Sequence, residues 1–100
     1  MDSIHHVAVT VQDIPRAITW YRSRFEFDVT WEDDSWALLA FDNISLALVK
    51  PQQHPPHVAF VTNKLNTFGD PVKHRDGTAS VYITDSEGNT VEMLSVPDCA

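Results

Sequence analysis

The run His6-Val7-Ala8-Val9 returns, slightly altered, as His57-Val58-Ala59-Phe60, 51 residues further on. In a chain of 100 residues, such an offset reads as two copies of one small unit, so that whatever the first copy folds into, the second must repeat. Each copy carries a histidine at the same point of a run whose other residues favour β-strand. One histidine repeated in two related strands supplies half of a metal site.

From Ile4 to Val11 the residues alternate, with Val7, Val9 and Val11 on one face and Ile4, His6, Ala8 and Thr10 on the other, the pattern of a strand with two buried faces. Asp13 is placed to cap a helix, and Pro15 sits in its first turn, where a missing N–H costs nothing. Ile14, Ala17, Ile18, Tyr21 and Phe25 form an apolar stripe over about three turns. Arg22 and Arg24 suit the negative end of the helix dipole. Three strands are expected next, near Phe27 to Glu32, Trp36 to Phe41 and Ile44 to Val49, separated by the turns Asp33-Asp34-Ser35 and Asp42-Asn43.

Residues 51–56, with three prolines, form the expected linker between a first module, 1–50, and a second, 57–97. The second module repeats the order in shorter form. It has a strand from His57 to Thr62, a single helical turn around Lys64 to Phe68, and strands near Pro71 to His74, Ala79 to Thr84 and Thr90 to Val96. Asp85-Ser86-Glu87-Gly88-Asn89 is a turn in which Gly88 or Asn89 takes a positive φ. Three strands joined by tight turns call for antiparallel pairing. Each copy alone leaves a sheet face unburied, so the copies pair within the chain or across a dimer, all in a single α+β domain.

With 43% hydrophobic residues and three tryptophans, one small core forms without crosslinks. The single cysteine, Cys99, excludes an intrachain disulfide and a Cys-rich zinc site, which fits a reducing, cytoplasmic setting. A formal charge of −7 argues against nucleic acid, whose backbone is bound through clustered Lys and Arg. No apolar stretch approaches the ~20 residues that span a bilayer. The chain opens directly on a strand, so neither export nor membrane insertion is expected.

His6 shares its face with Ala8 and Thr10, and His57 shares its face with Ala59, so small side chains leave space in front of both imidazoles. The larger valines and Phe60 occupy the helix side. Glu92 stands between Val91 and Met93 in the last strand, where a carboxylate is costly unless paired, solvated or metal-bound. Two imidazoles and one carboxylate suit a divalent first-row metal and leave positions open for a substrate oxygen or water. The competing reading makes both histidines half-buried structural residues and leaves Glu92 in solvent. His5 points to the helix side and is read as structural, and His54, among prolines, as linker.

His6-Val7-Ala8-Val9, with Val11-Gln12-Asp13 and Ala17-Ile18-Thr19-Trp20-Tyr21, resembles the opening strand and helix of the vicinal oxygen chelate, or glyoxalase/bleomycin resistance/dioxygenase, superfamily. The segment Val81 to Glu92 resembles its closing hairpin, in which an Asp-Pro-Asp-Gly-Asn turn precedes a ligand glutamate. The resemblance implies two paired βαβββ modules whose mainly antiparallel sheet cups a metal site, here with a shortened second helix. It places the metal ligands at His6, His57 and Glu92, for Fe, Mn, Ni, Co or Zn. The fourth ligand position of the family falls on Leu46-Ala47-Leu48, and Ala47 cannot coordinate. Three ligands are similar to the extradiol dioxygenase and fosfomycin-modifying branches, whereas glyoxalase I usually has four. Tyr82 is expected to donate a hydrogen bond to a bound oxygen and His74, with Arg75 nearby, to act as acid or base, each against a plain structural role. The expected protein is a small homodimeric enzyme of lyase, isomerase, transferase or dioxygenase chemistry acting on a small molecule. The rivals are a drug-type binding protein of the same fold and a degenerate dimeric scaffold.

Overall fold

The computed structural model describes residues 1–74 and 76–96. Arg75, and the stretch 97–100 that holds Cys99, lie outside the described residues. The chain divides into two compact units, His6–Pro56 and Met1–His5 with His57–Ala100. No helix among the described residues is long and apolar enough to cross a membrane.

In the first of these units the order is β1 (Ile4–Thr10, whose first two residues belong to the other unit), α1 (Ile14–Arg22), β2 (Asp28–Glu32), β3 (Trp36–Ala40) and β4 (Ser45–Val49). The strands lie in the order β2-β3-β4-β1. β1 runs parallel to β4, with His6 opposite Ser45 and Ala8 opposite Ala47, while β2–β3 and β3–β4 are antiparallel. Asp13 caps α1 through its side chain, which accepts from the Arg16 N–H at 3.1 Å, satisfying one of the orphan donors of the first turn.

The apolar stripe packs as the periodicity requires. Ile14 and Ile18 join Ala37, Leu39 and Leu48 in one buried cluster, with Val9, Val11, Ala17 and Tyr21 against it. Phe25 departs from the expectation. The helix ends at Arg22 because the Ser23 hydroxyl and the Arg24 guanidinium both donate to the Trp20 carbonyl, at 2.7 and 3.3 Å, taking over an acceptor of the last turn. Phe25 is therefore half-exposed, its ring near Tyr21 and Phe41. On the opposite face of the sheet Ala8, Ala47 and Val49 form a second buried cluster, with Trp36 and Leu38 packed against it.

The other unit repeats the order as β5 (His57–Val61), a 3-10 turn (Leu65–Thr67), β6 (Val72–Lys73), β7 (Ala79–Thr84) and β8 (Thr90–Ser95). Its strands lie in the order β5-β8-β7-β6, with β5 parallel to β8 and the other two pairings antiparallel. The fold is thus α+β, each unit having one parallel and two antiparallel pairings.

The loss of the second helix is plain in the packing. Val9 stands opposite Leu48 in the cluster that α1 covers, and their counterparts Phe60 and Met93 are likewise paired. Beside them only Leu65 of the 3-10 turn is buried, while Phe68, Val72 and Val96 remain exposed. In the β7–β8 turn it is Gly88 that takes the positive φ, 84°. The Asp85 side chain accepts from the Asn89 amide, the Asn89 backbone and the Glu87 backbone, and these bonds hold its carboxyl below the usual carboxylate range.

Candidate metal centre

Among the described residues the buried polar side chains are His6, His57, Ser80 and Glu92, at 7, 6, 1 and 4% exposure. Three of the four are the ligands that the sequence singles out. Buried polar groups persist only where something compensates their lost hydration, so this short set concentrates the chemistry of the chain.

Glu92 is held by two register relations. β8 places it beside Ala59 of β5, and the β7–β8 hairpin places it opposite Tyr82. Because Ala59 carries only a methyl group, the imidazole two residues earlier on the same face meets the carboxylate: His57 Nε2 lies 3.0 Å from Glu92 Oε1. The second oxygen faces another imidazole, His74 Nε2, at 3.9 Å. His74 follows β6, and its backbone N–H donates to the Thr78 carbonyl at 2.8 Å. Its Nε2 also lies 2.6 Å from the Ser80 hydroxyl. Tyr82 closes the group, its ring edge-on to His57 with centroids 5.2 Å apart at 81°. Partial burial, and then the charge of Glu92, raise the pKa of this phenol.

His6 lies in the other unit, on the β1 face that carries Ala8. Comparison of the two registers is instructive. Ala59 stands beside Glu92, and its repeat counterpart Ala8 stands beside Ala47. Ala47 thus occupies the position in its own unit that Glu92 occupies in the other, as the sequence comparison implies, and its methyl group offers no donor.

Tyr82 stands opposite Glu92, and His74, which is half-buried, has its Nε2 3.9 Å from the second carboxylate oxygen. Ser80 was not anticipated as a functional residue. The signal was its alternation with Tyr82 and Thr84, opposite Ala79, Val81 and Ile83, which puts a small polar group on the face of Glu92. The donor set is chemically suited to a divalent ion, since neutral imidazole nitrogen and an anionic carboxylate oxygen are ligands that first-row metals prefer.

Residues 3–70 match the model of the Glyoxalase/Bleomycin resistance protein/Dioxygenase superfamily. No curated protein sequence matches the chain. Among solved structures, a methylmalonyl-CoA epimerase in complex with methylmalonyl-CoA and ammonium superposes with a TM-score of 0.80 at 15% identity, covering 96% of this chain and 95% of that one. The methylmalonyl-CoA epimerase of Mycobacterium tuberculosis gives 0.79 at 17% identity, with 95 and 88% covered. A superfamily member from Vibrio splendidus 12B01 gives 0.66 at 10% identity, with 95 and 99% covered. At these identities the likeness is one of fold.

Proposed function

Because the chain belongs to the glyoxalase/bleomycin resistance protein/dioxygenase superfamily, we propose that it is a small metal-dependent enzyme in which His6, His57 and Glu92 hold a divalent ion, one of Fe, Mn, Ni, Co or Zn. The observation that carries this reading is the pairing of a buried carboxylate with a buried imidazole at 3.0 Å, together with the burial of all three ligand side chains. A divalent ion bound there supplies Lewis acidity toward two oxygens of a small substrate and stabilises negative charge developing on them.

The chain's own residues favour proton transfer within that class, which means isomerase or lyase chemistry. The His74 imidazole, hydrogen-bonded at Nε2 to the Ser80 hydroxyl at 2.6 Å, takes a proton from the substrate or returns it through that hydroxyl, which gives up one proton as it accepts the other. Tyr82, whose pKa is raised, stays protonated at neutral pH and serves as a hydrogen-bond donor rather than as a base. The epimerase activity named for the fold neighbours is of the same type. The reading includes a homodimer, supported by the apolar face that the missing second helix leaves open.

Metal analysis of the purified protein tests the proposal. The native chain is expected to retain about one divalent ion, His57→Ala to lose it, and His74→Ala to keep it. Native protein that takes up no metal at micromolar concentration removes the enzyme reading and leaves a small-molecule binding protein of the same fold.

A further inference from the structure

The sheet face that carries His6 and Ala8 also carries an aromatic pair that the proposed chemistry does not use. Trp31 and Trp36 stack with ring centroids 5.7 Å apart and planes 22° from parallel. Simple alternation from Val29, which packs on the helix side, would put Trp31 on that side as well. A bulge between Val29 and Trp31 shifts the register instead, so that Trp31 stands opposite Leu38, on the face that Leu38 and Trp36 share. Bulges re-aim side chains in this way.

The turn that follows fixes the result. Asp33 accepts from the Trp31 indole N–H at 3.1 Å, and from the Ser35 N–H, the Ser35 hydroxyl and the Trp36 N–H at 2.8, 2.8 and 3.1 Å. One carboxylate therefore ties the Trp31 indole and the Trp36 backbone to one turn, and the stack holds the second ring against the first. Both rings stay partly exposed, while the floor between them and His6 is made by Ala8 and Ala47. Indoles pinned in a stack and left accessible beside a floor of methyl groups offer a flat apolar surface.

We propose that Trp31 and Trp36 form an aromatic wall that selects substrates carrying a planar ring at a distance from their chelating oxygens, a proposal that rests on His6 being a metal ligand. The register sets the distance. His6 stands opposite Ser45 and Trp36 opposite Val49, so the two are separated by four residues along β4 and by two strand spacings. That places their Cα atoms about 16 Å apart. Side chains on one sheet face stand roughly side by side, so most of that separation is left between imidazole and indole, and a ring reaches the wall only through a spacer of several bonds from the chelating head.

A ligand series on the manganese-loaded full chain tests this, using lactate as the chelating head alone and 2-hydroxy acids bearing a phenyl ring on zero to five methylenes. Calorimetric affinity is expected to rise along the series and to peak among its longer spacers, at least about tenfold tighter than lactate. Trp36→Leu and Trp31→Leu should flatten the series to the lactate value with manganese uptake unchanged. Trp36→Phe, which keeps an aromatic surface and controls for folding, should retain the peak. A flat series in the native protein, or a peak that survives Trp36→Leu, overturns the wall and leaves the metal reading standing. Native protein that takes up none of Mn, Fe, Ni, Co or Zn overturns the metal reading, and with it the wall.

Discussion

Placing a carboxylate at Ala47 tests the contrast between the two units directly. Ala47 is 1% exposed, stands opposite Ala8, and sits in the cluster of Val49, Trp36 and Leu38. It is the position equivalent to Glu92, and His6 stands two residues before Ala8 as His57 stands two before Ala59. Ala47→Gln and Ala47→Glu are therefore both made in a His6→Ala background, which removes the imidazole that a carboxylate at this position would meet. Ala47→Gln carries the cost of added volume, about 1–3 kcal/mol. Ala47→Glu adds the cost of a buried charge. Burial raises a carboxyl pKa by up to about 3–5 units from an ordinary value near 4.3, and the group then protonates rather than remain ionised. At pH 7 the penalty is therefore limited to the free energy of protonation, about 3–4 kcal/mol at roughly 1.36 kcal/mol per pH unit.

The sign follows from linkage. A folded-state pKa above the unfolded value makes stability fall as pH rises from the unfolded toward the folded value. Urea unfolding of the Glu and Gln variants should thus differ by about 3–4 kcal/mol at pH 7 and by under about 1 kcal/mol at pH 4.5. Equal stability of the two variants at pH 7 would show a wetted face at Ala47. It would refute the argument that a carboxylate on such a face, Glu92 included, depends on a partner.

Ser80→Ala removes a hydroxyl that is 2.6 Å from His74 Nε2. It should cost about 1 kcal/mol, lowering the melting temperature by roughly 4–8 °C. Nitrogen chemical shifts of the His74 ring should report a changed tautomer balance while metal content stays the same. Asp33 should show its hydrogen bonds in acid. Desolvation pushes its pKa up, but the donors on Ser35, Trp31 and Trp36 outweigh this and hold it at about 2. A depressed folded-state pKa gives stability that is present above the ordinary value of 3.8 and is lost as pH falls toward 2. Asp33→Asn should therefore lower the urea midpoint at pH 7 by an amount equivalent to about 1 kcal/mol or less, since solvent reaches the group, and the difference should fade between pH 4 and pH 2.

The repeat made most of this legible. His6 and His57 marked where each unit begins its sheet, and alternation around them gave the faces that the registers of β1 and β5 display. Glu92 was visible as an acid in an apolar strand, and Asp13 as a cap. What escaped depends on interactions that periodicity does not encode. The end of α1 is decided by Ser23 and Arg24 competing for one carbonyl, so Phe25 matched the stripe but not the helix. Trp31 reaches its face through an irregularity in β2, which alternation would have placed on the other side. Ser80 gained significance only when β6 brought His74 to it, a contact between residues whose meeting depends on how the chain returns.

The β7–β8 hairpin also bears on the order in which the molecule assembles. Tyr82 and Glu92, ten residues apart, are opposite each other across a turn that Asp85 organises, whereas Ala59 meets Glu92 only by closing 33 residues of chain. Loop closure scales with the logarithm of length, so the hairpin forms at about 1 kcal/mol less entropic cost than the parallel pairing, and hairpins close in about 1–10 μs. The carboxylate is aligned with its tyrosine while still hydrated. Its dehydration comes with the docking of the strand that carries His57, so the acid loses its water only as the imidazole arrives.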